Sequence, residues 1–359
     1  MGNNLQRKMF KEINLMDPFF DSLKADYKGF EGWFQRKGDQ YAFVQYNKEG
    51  MLTGFLYFKI EMGSVSDVEP IITANRILKV GTFKIDAHGT KLGEQFIKVI
   101  MDYALNESVD LCYVTIYEKD RTQPLIKLIE RFGFKRYGTK GSSENCELVL
   151  VKDMKHVTGE ICKDYPIINL DEGKKFLLSI YPQYHSIMLP HSILTTENKN
   201  IIKDISYTNS IHKIYVCSMK GVENLKCGDI LVLYRTAEKG KNAEYSSVAT
   251  SICVVEEVKA QSSFSNFEEF YKYASQYSVF DKNDLNYWYK KGNLKAIKFT
   301  YNVALTKRVV RHDLIEKIGL DRDIYWGFFE LTENEFVKIA ELGKVSEIIK
   351  NRTNVPIRC

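Results

Sequence analysis

Between residues 76 and 117 a helix pattern is bracketed by two strand patterns, and this commits the chain to a sheet with a helix laid across it. Leu92, Phe96, Ile100, Met101 and Ala104 recur at three- and four-residue spacing, which predicts an amphipathic helix over Leu92–Leu105. The apolar runs Arg76–Ile85 and Val109–Tyr117 on either side read as strands, and a crossover helix between strands of one sheet makes them parallel. Upstream, Tyr41–Tyr46 and Met51–Ile60 flank the turn Asn47-Lys48-Glu49-Gly50 and continue into Arg76–Ile85 as an antiparallel meander. Before them, Phe19, Phe20, Leu23, Tyr27, Phe30, Trp33 and Phe34 lie at helical spacing within 17–37 and predict two short helices broken near Gly29. Downstream, Thr122 caps a helix with Pro124 in its first turn, an inner stripe of Leu125, Leu128, Ile129 and Phe132, and Gly133 at its end. The runs Phe134–Thr139 and Cys146–Val151 then close the sheet.

At 359 residues the chain has room for two domains. Its 44% hydrophobic and 27% charged content excludes a disordered, collagenous or coiled-coil chain, and 22 Tyr and 21 Phe against 7 Pro favour strands. No apolar run reaches the ~20 residues of a membrane helix, the first residues lack a signal-type apolar stretch, and Gln6 stands where a myristoylation signal needs Ser or Thr. The seven cysteines include no C-x-x-C pair, so reduced thiols in the cytoplasm are expected, with Cys112 a buried strand thiol rather than a nucleophile. His185 and His191 lack a third ligand at metal spacing, and no metal is expected.

The texture changes after Met154. Residues 155–200, with Pro166, Pro182 and Pro190, show no clear period and read as a structured connector. From Ile211 short strands dominate: Ile211–Cys217, Gly228–Tyr234, Ser247–Val258, Leu294–Phe299 and one near Ile324–Phe329. Helices are expected at Phe267–Tyr277, Leu285–Lys291 and Thr332–Leu342, the last opening on a Thr332/Glu335 capping box. The organisation expected is thus 1–154, a connector 155–200, a mostly β domain 201–345 and a tail 346–359. Net charge is +5, spread as +1 before Met154 and +4 after it, with a local excess of six positive charges in 290–317. That stretch is either a phosphate-attracting face or a solvated basic edge.

The segment Asp86-Ala87-His88-Gly89-Thr90-Lys91-Leu92-Gly93 joins a strand to a helix through two glycines. Such a turn presents unpaired backbone N–H groups at the positive end of the helix dipole and suits a pyrophosphate; it also suits any ordinary strand-to-helix connection. Two further elements carry alternatives. Glu61, ending its strand, is the first candidate for a general base, ahead of Glu69 and Asp86, each also readable as a solvated loop carboxylate. Tyr117, at its strand's end, is the nearest phenol to serve as an acid, or a packing ring.

Taken in order (helices, three antiparallel strands, glycine turn and helix, parallel strand, a helix ending in Arg131-Phe132-Gly133-Phe134, two strands), residues 10–152 resemble the GNAT family of acyl-CoA N-acyltransferases. The resemblance implies a mixed sheet flanked by helices in an α+β fold and acetyl-CoA as co-substrate. It implies pantetheine along the strand at Val80, Thr82 and Phe83, and pyrophosphate on the amides of His88, Gly89, Thr90, Lys91, Leu92 and Gly93. Thr122 falls where the family often carries an Asn and Ile129 where it carries the tyrosine that protonates the leaving thiolate; His88 and Lys91 depart from the family's Arg/Gln-x-x-Gly-x-Gly/Ala turn. Lys91 fits such a turn with a negative φ.

Residues 200–342 are similar to PUA-like barrels of the ASCH and EVE groups, on the turn Leu225-Lys226-Cys227-Gly228-Asp229, the strand after it and Tyr325-Trp326-Gly327-Phe328-Phe329. This implies a β-barrel that binds RNA or modified bases. Trp288 with Lys290 and Lys291 combines stacking with charge, and Arg308 and Arg311 extend the basic stretch; the alternative is a helix that packs its rings into the barrel. The function expected is acetyl transfer to a primary amine, with RNA or an RNA-bound protein as the recruited acceptor. The alternatives are a non-catalytic acyl-CoA sensor or nucleic-acid module, and a toxin-like acetyltransferase of aminoacyl-tRNA.

Overall fold

The computed structural model describes residues 5–86, 89–142, 145–171, 173–192, 194 and 206–350. They form two compact units, the first running to His156 and the second beginning at Val157.

The first unit carries strands β1 (Gln6–Met9), β2 (Tyr41–Tyr46), β3 (Leu52–Val65), β4 (Ile72–Ile85), β5 (Leu111–Ile116), β6 (Lys135–Ser142) and β7 (Asn145–Asp153). Helices α1 (Asp21–Asp26), α2 (Phe30–Arg36), α3 (Leu92–Asn106) and α4 (Gln123–Arg131) lie between them. The strand order is β1-β2-β3-β4-β5-β7-β6, parallel only at β4/β5. β1 escapes a pattern search because Gln-Arg-Lys-Met is a polar edge strand without alternation. β3 and β4 exceed their expected lengths because the hairpin beyond Ile60 and before Arg76 is largely exposed and has no apolar period to read.

The meander's core is aromatic. Phe10, Phe20, Phe34 and Phe55 are 0–3% exposed and meet edge to face, with ring centroids 4.8 Å apart for Phe10–Phe34 and 5.3 Å for Phe20–Phe55. Each such pair adds about 0.5–1.5 kcal/mol beyond its area burial, which clamps the short α1 and α2 onto the sheet. Gly29, at φ 85°, supplies the left-handed residue that separates the two helices. On the other side of the sheet-to-helix turn, α3 buries Leu92, Phe96, Ile100, Met101 and Ala104, the stripe read from sequence.

One register detail shapes the function. β3 and β4 pair throughout, with a bulge that leaves Gly81 between Val80, opposite Phe58, and Thr82, opposite Tyr57. β4 meets β5 only through Ile77–Val80 against Leu111–Val114, while β5 stays with β7 up to Ile116 opposite Leu148. Past Val80 and Val114 the two parallel strands part, and among the described residues the edge of β4 from Gly81 to Ile85 has no strand partner on that side.

The second unit holds β8 (Ile168–Asn169), β9 (Lys175–Ile180), β10 (His212–Cys217), β11 (Ile230–Arg235), β12 (Val248–Ala260), β13 (Lys295–Val310), β14 (Phe328–Leu331) and β15 (Ile349–Lys350). Its helices are α5 (Ile161–Asp164), α6 (Pro182–Met188), α7 (Ser206–Asn209), α8 (Ala243–Ser246), α9 (Phe267–Ala274), α10 (Lys282–Lys291), α11 (Arg311–Asp313) and α12 (Glu333–Leu342). Six strands form a mixed sheet, β10-β13-β12-β11-β9-β14, and among the described residues no pairing joins β10 to β14 to close it as a barrel. The expected connector is corrected here: its segment Lys175–Ile180 is an inner strand, parallel to β11 and antiparallel to β14. Buried on both faces, Lys-Phe-Leu-Leu-Ser-Ile lacks the alternation that marks a half-exposed strand. The expected tail likewise begins with structure, because Ile349–Lys350 pairs with Ile168–Asn169. Thr332 caps α12 in the capping box expected from sequence. Cys112, Cys146, Cys162, Cys217 and Cys253 carry no disulfide, whereas Cys227 is disulfide-bonded, against the expectation of seven reduced thiols. Spacing along the chain does not reveal which thiols a fold brings together.

Candidate functional site

The parting of β4 and β5 opens a cavity of about 1060 Å³. One wall is the strand-edge segment Gly81–Asp86, continued by Gly89–Gly93 at the start of α3. The opposite wall is Val114–Tyr117 with Arg121, Thr122 and the α4 side chains Pro124, Leu125 and Leu128. Tyr27 and Trp33 of the N-terminal helices and Glu147 of β7 complete it. Nine Lys and Arg side chains line this space against three carboxylates, a balance that attracts an anion.

The sequence-derived residues divide clearly. Val80, Thr82, Phe83, Gly89, Thr90, Lys91, Leu92, Gly93, Thr122 and Tyr117 all line the cavity. His88 lies outside the described residues. Glu61 does not reach the cavity: its carboxylate accepts from Tyr113 Oη at 2.7 Å and pairs with Lys59 at 2.6 Å. Burial pushes its pKa up, but Lys59, Tyr113 and Lys79 outweigh it and hold the carboxyl below the usual range, which makes it a weak base. Glu69 is also absent from the lining, held by backbone pairing with Thr139, while Asp86 is present.

Two expected roles change. Lys91 adopts φ +57°, the left-handed region, instead of the negative φ expected for a side chain in that turn. An L-residue there costs roughly 1–2 kcal/mol, so Lys91→Gly is expected to raise the melting temperature of the unliganded protein by a few degrees while weakening an anionic ligand at that turn. A calorimetric scan beside a binding titration checks both, and a lower melting temperature contradicts the strain. Gly93 faces the cavity with its backbone, yet the Cβ it lacks would stand 2.5 Å from Leu128 Cδ2, so its smallness serves the approach of α3 to α4. Thr122 closes its turn: its Oγ1 lies 2.7 Å from the Tyr117 carbonyl oxygen and accepts from Lys119 N–H at 2.9 Å. Ile129 is fully buried and absent from the lining, so no phenol stands at that helix position.

Two residues were missed. Tyr27 and Glu147 are 120 positions apart in sequence, and the Tyr27 hydroxyl donates to Glu147 Oε1 at 3.1 Å inside the cavity. Burial first, then the Glu147 charge, holds the Tyr27 phenol well above its ordinary pKa. Its ring lies 4.9 Å from that of Tyr117. Leu148 is the residue opposite Ile116, so Glu147 and Tyr117 occupy neighbouring positions where β5 and β7 end their pairing. Only the insertion of β7 between β5 and β6 brings them together, and no local pattern encodes it. Nearby, Asp26 is pushed up by burial but held down by Arg121 and Lys119, a fixed ion cluster at the rim.

In the second unit the basic residues do not form one face. Trp288 is half-buried on α10 with Lys291 4.9 Å from its ring centroid and Lys290 exposed. Arg308 and Arg311 lie at and just beyond the far end of β13, whose 16 residues span roughly 50 Å of contour. Arg308 is half-buried, donating to His191 O at 3.1 Å and to Leu305 O. His185 is a core residue, its Nε2 2.7 Å from Thr250 Oγ1. Two other clusters, Cys162–His212–Glu256 and Glu244–His312–Glu316, place ligand-type atoms within 4.8 Å of one another. Their carboxylates already hold cations, Lys298 on Glu256 at 2.7 Å and Arg322 on Glu244.

No family model matches the sequence, and no curated protein matches it. Solved structures similar to part of the chain include ASCH from Zymomonas mobilis, with 9% identity, 47% of this chain and 95% of that chain covered, and a TM-score of 0.33. Naa20 from Chaetomium thermophilum in complex with a bisubstrate analogue shares 14% identity over 45% of this chain and 88% of its own, with a TM-score of 0.33. Ard1 from Thermoplasma volcanium shares 10% identity over 43% of this chain and 98% of its own, with a TM-score of 0.31. Likenesses of this size assign no chemistry, and the functional reading rests on the cavity itself.

Proposed function

We propose that the first unit is an acetyl-CoA-dependent N-acetyltransferase acting on a primary amine. The observation that carries the reading is the single cavity in which an unpartnered strand edge, Gly81–Ile85, meets the glycine turn at the start of α3 and a carboxylate–phenol pair. An extended pantetheine is a chain of amides, and an open strand edge satisfies it as a further strand would. The amides that open α3, with the surrounding cations, then receive the pyrophosphate. The acceptor nitrogen attacks the thioester carbonyl carbon, the carbon–sulfur bond breaks, and the thiolate leaves. Glu147, directly or through one water, takes the ammonium proton so that a neutral amine attacks, and Tyr117, which lines the same cavity, protonates the departing sulfur. In the same reading the second unit is a PUA-like module that recruits the acceptor, an RNA or an RNA-bound protein.

Acetyl-CoA at about a hundred times its Kd is expected to stabilise the protein by roughly 2.7 kcal/mol, a rise of about 5–10 °C in melting temperature for a unit of this size. Leu125→Trp, which fills the cavity from a half-exposed helix position, removes the shift with little change in the unliganded melting point. Absence of any shift in the unmutated protein overturns the reading. CoA release with a panel of amines separates an enzyme from a sensor.

A further inference from the structure

The second unit contains a cavity of about 670 Å³ that no part of the reading above uses. Tyr234, Thr236, Arg311 and Trp326 line it, coming from β11, the segment after it, the start of α11 and the turn before β14. The Tyr234 hydroxyl, Thr236 Oγ1, Arg311 Nε and Trp326 Nε1 are all buried and, among the described residues, all without a hydrogen-bond partner. Tyr234 is 1% exposed and Trp326 8% exposed. Ser247 and Arg311 stand near the Tyr234 oxygen and ease its ionisation against burial, but neither meets hydrogen-bond geometry with it.

A buried polar atom left unpaired costs about 1–3 kcal/mol, and four around one cavity are not retained for stability. Their chemistry is one-sided. An indole N–H and a guanidinium N–H only donate, and the two hydroxyls donate as readily as they accept. Lys239 and Lys241 add positive charge at the cavity, and Glu238 is drawn to Arg235 at 3.1 Å. Arg311 is held in place by two contacts: its guanidinium carbon is 4.4 Å from the Trp326 ring centroid, and its Nη2 donates to Arg322 O at 2.9 Å. The complement is an acceptor-rich anion, and a phosphate group satisfies several converging donors at once. Tyr181, 59% exposed and also in the lining, offers a flat apolar face beside this anion site.

We propose that this cavity binds a nucleotide-type phosphate monoester, its phosphate on Tyr234, Thr236, Arg311 and Trp326 and its base on Tyr181. The same group arises from a free nucleoside monophosphate or from the phosphorylated 5′ end of an RNA.

The test is calorimetric titration of the full chain carrying Leu125→Trp, so that the first unit's cavity is filled, with AMP, adenosine, a 5′-phosphorylated pentaribonucleotide and its 5′-hydroxyl form. AMP is expected to bind at least tenfold tighter than adenosine, and Trp326→Phe and Tyr234→Phe each to weaken AMP by about 10–100-fold. Tyr234→Phe keeps the ring and removes an unpaired donor, so the melting temperature of the unliganded protein stays equal or rises; Trp326→Phe also gives up part of a buried indole, so its melting temperature falls modestly while Tyr234→Phe isolates the loss of the donor. If the phosphorylated oligomer outcompetes AMP, the RNA end is the source; if AMP is tighter, the free nucleotide is. Equal binding of AMP and adenosine, no AMP binding at 10-fold molar excess over ~1 mM, or unchanged affinity in both variants overturns the proposal.

Discussion

Replacing Glu147 with Gln is expected to lower the rate of acetyl transfer by roughly 10²–10⁴-fold while the acetyl-CoA-induced thermal shift survives. The separation is the informative part. Glu147 lies in the cavity wall where β5 and β7 end, beside Tyr27 and Tyr117, and not in the strand edge or the glycine turn that would hold the cofactor. A Gln of the same shape keeps an oxygen to accept the Tyr27 hydroxyl, so the wall is preserved and only the proton acceptor is lost. If Glu147 takes the ammonium proton, the rate of the variant recovers as pH rises and the acceptor amine deprotonates in solution. The parallel variant Glu61→Gln leaves turnover within a few-fold, because that carboxylate is committed to Tyr113 and Lys59 away from the cavity. Equal rates for Glu147→Gln and the unmutated protein at all pH values would remove the assignment of the base without touching the cofactor site.

The second large effect concerns stability. His185 is wholly buried, and that burial, followed by the positive charges of Arg235 and Arg308, pushes its pKa down to about 3. The unfolded chain takes up a proton on this histidine below about pH 6.5, whereas the folded chain does not until about pH 3. Stability is therefore intact above pH 6.5 and falls with acidification at up to about 1.4 kcal/mol per pH unit, reaching a loss of about 2 kcal/mol at pH 5 and about 4–5 kcal/mol near pH 3. His185→Gln keeps a partner for Thr250 Oγ1, 2.7 Å from Nε2, and removes the titration. Urea midpoints of the second unit at pH 7.5 and pH 5, compared between the two proteins, check this. An equal acid loss in the variant shows that other groups carry it.

Much of this architecture is legible in the sequence where a periodic apolar pattern meets a single buried face. The stripe of α3, the aromatic spacing in 17–37 and the Thr332/Glu335 capping box all follow local rules and appear where those rules place them. What stayed hidden depends on long-range order. β9 is buried on both faces and so has no alternation, and β1 is too short and polar to announce itself. The glycine turn, the β4 edge and Tyr117 were readable as candidates because they are neighbours in sequence. Glu147 and Tyr27 were not, because their meeting is a product of strand order. Lys91 illustrates a further limit: residue type argued for a negative φ, while the chain accepts the left-handed conformation to turn from β4 into α3. The second cavity draws on residues 234, 236, 311 and 326; Arg311 and Trp326 stood out in the sequence for other reasons, but nothing local shows that they meet Tyr234 and Thr236.

The place of β7 has a consequence for how the first unit comes into being. β7 is the last strand of that unit to leave the ribosome, yet it is wedged between β5 and β6, so β5 is an unfinished sheet margin until residues 145–153 arrive. A nascent chain ending before that point has the β4 edge, the glycine turn and the β5–α4 wall of the cavity but not Glu147. The β5 wall of the cavity therefore gains its final sheet pairing only when the last strand of the unit has arrived.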